Sequence, residues 1–369
     1  HKEYRRQRQM CIRDSYDDPQ VGEIFARLLK SLRPDVVHFH SVQRLGATMA
    51  HACVDAGVPY AITLHDAWWL CERQFMVRDD GVYCNQKAID LRACSKCVPD
   101  SGFTFKRRFF LGDVLDRASL LLAPSEFQRE LYVANGVAPQ QIAVNRNGVP
   151  LPARPRPARR PESPLRMAYL GGRAVHKGYF WLREILAGMR AGGYELVITD
   201  IALRTGAASV SVTEWRVPGR VCVVAPFEQA EMDAFYDDID VLLVPSLWKE
   251  SFGLVVREAL ARGIWVIATA AGGVVEDIVD GVNGRVVEIG DTDAFRGAIE
   301  DALASPDRLP LGGVNAMLPR IRGYDEQAAE LKAYLQRIAA PAARVVDTTQ
   351  RAWRAPVIPI AVHGDAPGA

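Results

Sequence analysis

Two glutamates flank a glycine in the run PSLWKESFGLVVREALA: they are Glu250 and Glu258, with seven residues between them. The run follows an unbroken apolar stretch typical of a buried strand and leads into a helix predicted over 254–262. Ligands of open α/β sheets bind beyond the carboxyl ends of strands, so a site is expected at the loop 246–252. Gly253 lets the backbone approach a ligand closely, and the helix N-terminus behind it attracts anions. Two solvated glutamates on a surface helix are the alternative.

A second charged turn, GGRAVHKG at 171–178, follows another predicted strand. Arg173 and Lys177 supply about the positive charge that a diphosphate needs, and the arginine adds bidentate geometry. The helix macrodipole disfavours a cation at a helix N-terminus, so two cations at this turn favour an anion bound between them. A basic helix start without a ligand is the alternative.

Histidines follow two strands predicted in the first half of the chain. His65 and Asp66, in ITLHDAWWLC, come directly after one strand, while His38 and His40 end another. His65 could donate a hydrogen bond to a ligand at the mouth of a cleft; a histidine satisfied by local backbone is the alternative. His38 and His40 are expected to shape the floor of the cleft rather than to react.

Four cysteines lie close together in the stretch 65–100, which lacks long apolar runs: Cys71, Cys84, Cys94 and Cys97. The Cys-x2-Cys pair at the end is a good chelate, whereas the other spacings are loose. A structural zinc ion that holds this insertion together is one interpretation, and reduced, partly buried thiols are the other.

These residues need elements that hold them at strand ends. Short apolar runs alternate with helical patterns, which indicates parallel strands connected by helices. Residues 150–164 contain six prolines and four arginines, a composition that predicts an extended linker. The predicted strands are 36–39, 60–64, 120–123 and 142–144 before the linker, and 167–170, 195–198, 221–224, 241–244, 265–268 and 285–288 after it.

The alternation on both sides of the linker predicts an α/β protein with two doubly wound domains. A last amphipathic helix and a tail rich in Ala, Pro and Arg follow them. The predicted segments after the first fifteen residues are 16–149, the linker, 165–322, 323–340 and 341–369.

Composition excludes several classes of protein. The chain carries 45 basic and 44 acidic side chains, a balance that argues against a nucleic-acid partner. Hydrophobic residues make up 49% and charged residues 24%, so disorder throughout the chain is excluded. No apolar run approaches about 18 residues, which predicts no membrane span. The seven cysteines show no disulfide framework, and a cytosolic location is expected.

The glutamate run, together with the downstream GGVVEDIVDGVNGRVV, closely resembles glycosyltransferase family 4, the glycosyl transferases group 1. The resemblance extends from Pro34 to Ile338. It implies the GT-B architecture, in which two Rossmann-like domains face a cleft, and a retaining transfer of a sugar from a nucleotide-diphosphate-sugar donor to a hydroxyl acceptor. It also implies a sugar or lipid-linked acceptor, a role in polysaccharide or glycoconjugate synthesis, and at most peripheral contact with the inner face of the membrane. A non-catalytic nucleotide-sugar-binding protein of the same fold is the alternative.

The resemblance implies a role for each charged residue. Glu250 would contact the donor sugar, and Glu258 would bind the ribose of the nucleotide. Arg173 and Lys177 would hold the pyrophosphate, and His65 would bond to the transferred sugar or to a donor phosphate. Glu250, His65, Arg173 and Lys177 are thus the expected catalytic set.

Backbone groups complete the expected donor site. Phe252, Gly253 and Leu254 match the family stretch whose backbone meets the diphosphate, and Gly272 and Gly273 match its glycine turn. The Asp-x-Asp pair 238–240 precedes its strand and the pair 291–293 lies at an expected helix N-cap, and two cations can stabilise a leaving diphosphate. Metal-independent transfer without a cofactor is therefore expected. The family mechanism implies that the departing phosphate oxygen helps to deprotonate the acceptor.

The first domain is expected to be incomplete. In the family a strand, a glycine-containing loop and a helix open this domain, but here the segment 34–38 comes about eighteen residues after the basic stretch 1–15. That stretch contains RQRQMCIRDS, which resembles translated sequencing-adapter read-through; a genuine basic arm is the alternative. An inactive or weakly active chain would follow from such a loss.

Overall fold

The computed structural model describes five stretches of the chain: 16–78, 80–98, 100–157, 163–309 and 321–339. Two parallel sheets, one on each side of the linker, form its framework. All ten predicted strands are present, each within two residues of its predicted bounds, so the α/β prediction is confirmed. The predictions for 1–15 and for the tail 341–369 lie outside the described residues.

The first sheet has four parallel strands in the order β1-β2-β3-β4. The two central strands are buried along their whole length, which explains why they are unbroken apolar runs. The strands are β1 (Val37–Phe39), β2 (Tyr60–Thr63), β3 (Leu120–Ala123) and β4 (Ile142–Val144). The helices are α1 (Pro19–Leu32), α2 (Thr48–Asp55), α3 (Leu91–Cys94), α4 (Ser101–Arg117) and α5 (Glu126–Ala134).

The second sheet has six parallel strands in the order β10-β9-β8-β5-β6-β7. The order reverses between β5 and β8, and ligands of doubly wound sheets bind at such a switch point. The strands are β5 (Leu165–Tyr169), β6 (Tyr194–Thr199), β7 (Arg220–Val224), β8 (Val241–Val244), β9 (Trp265–Thr269) and β10 (Gly284–Val287). The helices are α6 (Tyr179–Ala187), α7 (Met232–Asp237), α8 (Leu254–Ala261) and α9 (Thr292–Ala304).

The last described helix, α10 (Tyr324–Ala339), returns to the first domain. Its apolar side chains pack against Ala61, Leu120 and Leu122 of the first sheet. Glu330 of this helix also accepts a hydrogen bond from the Asn145 amide at 2.7 Å. The amphipathic pattern predicted this helix, but it could not indicate which domain the helix covers. Within the described ranges, no helix is both long and apolar enough to cross a membrane.

The described part of the proline-rich linker lies along the second domain. The side chain of Arg156 is 4% exposed and pairs with Asp240 at 3.0 Å. Arg262 donates to the carbonyl oxygen of Pro150 at 3.0 Å and pairs with Asp233 at 2.6 Å. The linker is therefore held by arginine pairs, a feature that its composition alone did not predict.

Candidate functional site

Lys177 and Glu250 meet where two neighbouring strands of the second sheet end. Lys177 lies between β5 and α6, and Glu250 lies between β8 and α8. Because β5 and β8 are paired and parallel, both loops leave the same edge of the sheet. Lys177 Nζ donates to Glu250 Oε2 at 2.6 Å, and the Ser246 hydroxyl donates to the other carboxylate oxygen. Glu250 is 9% exposed and the Lys177 side chain 30% exposed, so it is mainly the carboxylate that is withdrawn from water.

Glycines allow the two loops to come this close. Gly178 has a φ of +78°, and a Cβ there would collide with the carbonyl oxygen of Pro245. Gly273, in the predicted glycine turn, donates its backbone N–H to the Glu250 carbonyl oxygen at 2.9 Å. A Cβ on Gly273 would collide with the carbonyl oxygen of Ser251. A larger residue at either glycine would therefore displace the loop that carries Glu250.

A buried arginine that the sequence did not single out supports the same loop. Arg257, on α8, is 1% exposed, and its Nε donates to Asp277 at 2.6 Å. Its guanidinium also donates to the carbonyl oxygens of Phe252 and Val274 and lies 4.1 Å from the centroid of the Phe252 ring. A charge this deeply buried requires partners, so Arg257 fixes the loop before α8. The sequence feature that could have indicated its role is its position directly before Glu258, inside the motif.

The three residues expected to meet a diphosphate form the entry to α8. Gly253 precedes the helix with a φ of +86°, a backbone conformation that favours glycine. The Phe252 side chain is buried, whereas Leu254 is 47% exposed. The first N–H groups of a helix lack partners within the helix, so this turn presents donors to an anion. That Phe252, Gly253 and Leu254 bind a diphosphate stays a prediction.

Arg173 has a different partner from Lys177. Its guanidinium pairs with Glu214 at 3.2 Å and lies 5.3 Å from the centroid of the Phe180 ring. Glu214 also accepts a hydrogen bond from the Tyr179 hydroxyl at 2.6 Å. These contacts keep the pKa of Glu214 below its ordinary value, the Tyr179 bond being the largest cause. An anion held jointly by Arg173 and Lys177, as the sequence predicts, would compete with Glu214 for the arginine.

Glu258 contacts a tyrosine. The Tyr236 hydroxyl donates to Glu258 Oε2 at 3.2 Å. Burial raises the pKa of Glu258, while the Tyr236 bond and the charge of Arg262 oppose that rise. Glu250 and Glu258 thus have different hydrogen-bond partners.

His65 belongs to a cluster of three histidines at the ends of β1 and β2. Its Nε2 lies 2.9 Å from His40 Nδ1, and the His38 and His40 ring centroids are 4.2 Å apart. His38 Nε2 bonds to the Thr63 hydroxyl at 2.8 Å. Desolvation lowers the pKa of all three, that of His38 to about 4, so the cluster is neutral near pH 7. The parallel register of β1 and β2 brings together residues that the sequence could only place at separate strand ends.

The start of α5 bridges the two domains. Ser125 caps this helix, and its hydroxyl also donates to the Ser251 carbonyl oxygen at 2.5 Å. The backbone N–H groups of Glu126 and Phe127 donate to the Glu276 carboxylate at 3.2 and 2.7 Å. A carboxylate from the second domain thus satisfies the free donors of a first-domain helix. Glu276 is the first acid of the GGVVED segment, so the family motif contained this signal.

The cysteines of the insertion do not form a metal centre in the described part of the chain. Cys71, Cys84, Cys94 and Cys97 are partly buried and form no disulfide, and burial raises the pKa of Cys71 to about 12 and that of Cys94 to about 11. No group of three or more His, Cys, Asp or Glu side chains among the described residues is arranged to hold a metal ion. The zinc interpretation is therefore not supported by this geometry.

Two family models match the chain, one for each domain. The model described as "Glycosyl transferases group 1" matches residues 159–310, and the model described as "Glycosyl transferase 4-like domain" matches residues 12–148. The chain therefore belongs to the group 1 glycosyl transferases, and the resemblance drawn from the motifs is confirmed.

Curated relatives align over part of their length. The D-inositol 3-phosphate glycosyltransferase of Xylanimonas cellulosilytica is 38% identical over 117 residues, which are 31% of this chain and 28% of that protein. The aligned segment thus spans less than a third of this relative.

Solved structures share the fold over most of the chain. The sucrose-phosphate synthase from Thermosynechococcus elongatus has a TM-score of 0.61 at 18% identity, covering 87% of this chain and 77% of that one. Anabaena HepE in complex with UDP has a TM-score of 0.61 at 16% identity, covering 85% and 82%. These likenesses show the GT-B fold.

Proposed function

We propose that the protein is a retaining glycosyltransferase that moves a sugar from a nucleotide-diphosphate-sugar to an acceptor hydroxyl. The observation that carries this proposal is the Lys177–Glu250 pair, 2.6 Å apart at the switch point of the second sheet. A cation and a carboxylate here suit the two parts of such a donor, since a phosphate needs positive charge and sugar hydroxyls need acceptors.

On the donor side, the second domain supplies the binding groups. Lys177 and Arg173 stabilise the diphosphate as it leaves, and the N–H groups at the start of α8 donate to its oxygens. Glu258 accepts hydrogen bonds from the ribose, and Glu250 accepts hydrogen bonds from the sugar. Two cations and a helix N-terminus compensate the diphosphate charge, so the proposed transfer needs no metal ion.

On the acceptor side, the first domain presents His65 across the cleft. His65 is neutral near pH 7, so it can donate one hydrogen bond to the transferred sugar or to a donor phosphate. The acceptor hydroxyl attacks on the face from which the diphosphate leaves, and the departing phosphate oxygen takes its proton. The configuration at the sugar carbon is thereby retained.

The comparisons suggest which molecules to test first. HepE was solved with UDP, so UDP-sugars are the first donors to try. A relative is named for D-inositol 3-phosphate, which makes phosphorylated polyols reasonable acceptors. Polysaccharide or glycoconjugate synthesis in the cytoplasm, with a sugar or a lipid-linked acceptor at the inner face of the membrane, is the proposed setting.

A thermal-shift panel of nucleoside diphosphates and nucleotide-sugars tests the donor site. A ligand that binds only the folded state raises the melting temperature in proportion to the logarithm of its concentration. We expect one nucleotide to raise the Tm of the wild type and of Glu300→Gln, a control on the exposed face of α9, clearly more than that of Glu258→Gln. No shift with any nucleotide would contradict the proposal, and hydrolysis or transfer of the bound donor separates an enzyme from a non-catalytic binder.

A further inference from the structure

Two adjoining cavities lie between the domains, beneath the cysteine-containing insertion. The first has a volume of about 150 Å³ and the second of about 180 Å³. A space near 150 Å³ is enough for a six-membered ring. Both are lined by Tyr83, Phe127, Leu131 and Lys249, and only the first reaches His65 and Trp248. We call this pair of cavities the insertion pocket.

Lys249 is the lysine of the second domain in the insertion pocket. It is half-buried and, within the described ranges, pairs with no carboxylate, unlike Lys177, which pairs with Glu250. Withdrawing an ammonium group from water costs free energy unless an opposite charge compensates it. Lys87 also lines the second cavity, where Glu130 is the carboxylate among the lining residues, so two lysines against one carboxylate favour a negatively charged ligand there.

Trp248, the neighbouring residue, supplies an aromatic wall of the first cavity. Its side chain is buried. The ring is held between Phe75 of the insertion, 5.0 Å away between centroids, and His176 of the second domain, 5.3 Å away. A ring fixed in this way offers a flat apolar surface to a ligand in the cavity.

We propose that the insertion pocket binds an acceptor saccharide that carries an anionic group, a phosphate or a carboxylate. This inference rests on the proposed function. Lys249 binds the anionic group, and the rings of Trp248 and Phe127 contact the apolar face of the saccharide. His65 lines only the first cavity, so the reacting hydroxyl lies there and the anionic group lies toward the second cavity.

Isothermal titration with simple saccharides tests this inference. Glucose 6-phosphate, glucuronate and glucose would be titrated into the protein, with and without saturating UDP. We expect at least one anionic sugar to bind about tenfold or more tightly than glucose, the scale of a charge-assisted contact. If glucose 6-phosphate binds more tightly than glucuronate, the pocket prefers a phosphate group; the reverse order indicates a carboxylate.

Substitutions assign the preference to Lys249. Lys249→Gln should reduce the affinity for the anionic sugar to that for glucose, while Lys249→Arg keeps most of it. Lys106→Gln, at an exposed lysine on α4, is the matched control and should change nothing.

Three outcomes are decisive. Equal binding of glucose and both anionic sugars by the wild type would overturn the inference, as would a Lys249→Gln variant that loses affinity for UDP instead. If the anionic sugar binds through Lys249 but no nucleotide binds anywhere, the inferred ligand class stands and the proposed transferase function fails.

Discussion

Lys177 and Glu250 are 73 positions apart in the chain, yet Lys177 Nζ lies 2.6 Å from Glu250 Oε2. The contact joins the loops that follow the carboxyl ends of β5 and β8, and the Ser246 hydroxyl donates to the other carboxylate oxygen. A diphosphate arriving at this edge would meet a lysine that is already oriented. A sugar would meet a carboxylate whose charge is already balanced.

Removing the lysine should affect both stability and activity. Lys177→Gln leaves the Glu250 carboxylate without its cation, which should lower the free energy of unfolding by about 1–3 kcal/mol. Adding Glu250→Gln to it should restore much of that stability without restoring transfer, because both ligand contacts are then lost. Chemical denaturation and a transfer assay on the single and double variants check this. A double variant as active as the wild type would exclude the pair from the donor site.

Arg173 and Glu214 should act in opposite directions on donor binding. Arg173→Ala should weaken binding of a nucleoside diphosphate at least severalfold, because a charge-assisted contact is lost. The pair is partly exposed, so its loss should change stability little. Glu214→Gln frees the arginine and should leave the affinity equal or higher. Calorimetric titration of both variants measures this, and unchanged affinity in Arg173→Ala would remove it from the site.

The sequence predicted the sheets well because several of their central strands are fully buried. Runs such as Leu120–Ala123 and Val241–Val244 have no exposed face, so no polar residue interrupts them. Motif spacing likewise placed Glu250 and Gly253 at the correct loop. Strand positions and loop positions depend on local patterns, which a single sequence is enough to show.

Contacts between distant segments were not predictable in the same way. Glu214, the partner of Arg173, lies in a short 3-10 turn without a periodic pattern. His40 meets His65 only because β1 and β2 pair in register. Arg257 supports the loop before α8, and Glu276 contacts the start of α5. Both contacts depend on tertiary packing, so the motif indicated the residues but could not indicate their partners.

The bridge from Glu276 to α5 should matter more for transfer than for nucleotide binding. Glu276→Gln removes a charge that complements a helix N-terminus, an effect of about 1 kcal/mol on stability. We expect affinity for the nucleotide to stay within about twofold, a few tenths of a kcal/mol, while kcat falls because the domains hold the acceptor less well. Glu300→Gln is the control. A large loss of nucleotide affinity with unchanged kcat would contradict this role.

The histidine cluster should make the protein sensitive to acid. Burial lowers the pKa of His38 from 6.5 to about 4, so between these values the unfolded chain binds a proton that the folded chain does not. The stability that His38 contributes is therefore complete above pH 6.5 and is lost as the pH falls toward 4. His38→Gln should lose less stability between pH 7.5 and pH 5, by on the order of 1 kcal/mol after solvent screening. Parallel losses in both proteins, measured by chemical denaturation, would assign the acid sensitivity to other groups.

The central claim is that Glu258 binds the nucleotide while Glu250 binds the sugar, and separate substitutions of the two glutamates test it most directly. UDP and the UDP-sugar that gives the largest thermal shift would be titrated into the wild type, Glu250→Gln and Glu258→Gln. The donor site described above predicts that Glu258→Gln weakens both ligands by about 1 kcal/mol or more, because both contain the ribose. Glu250→Gln should weaken only the UDP-sugar and abolish most turnover. Equal loss of UDP affinity in both variants, or no loss in either, would contradict the account.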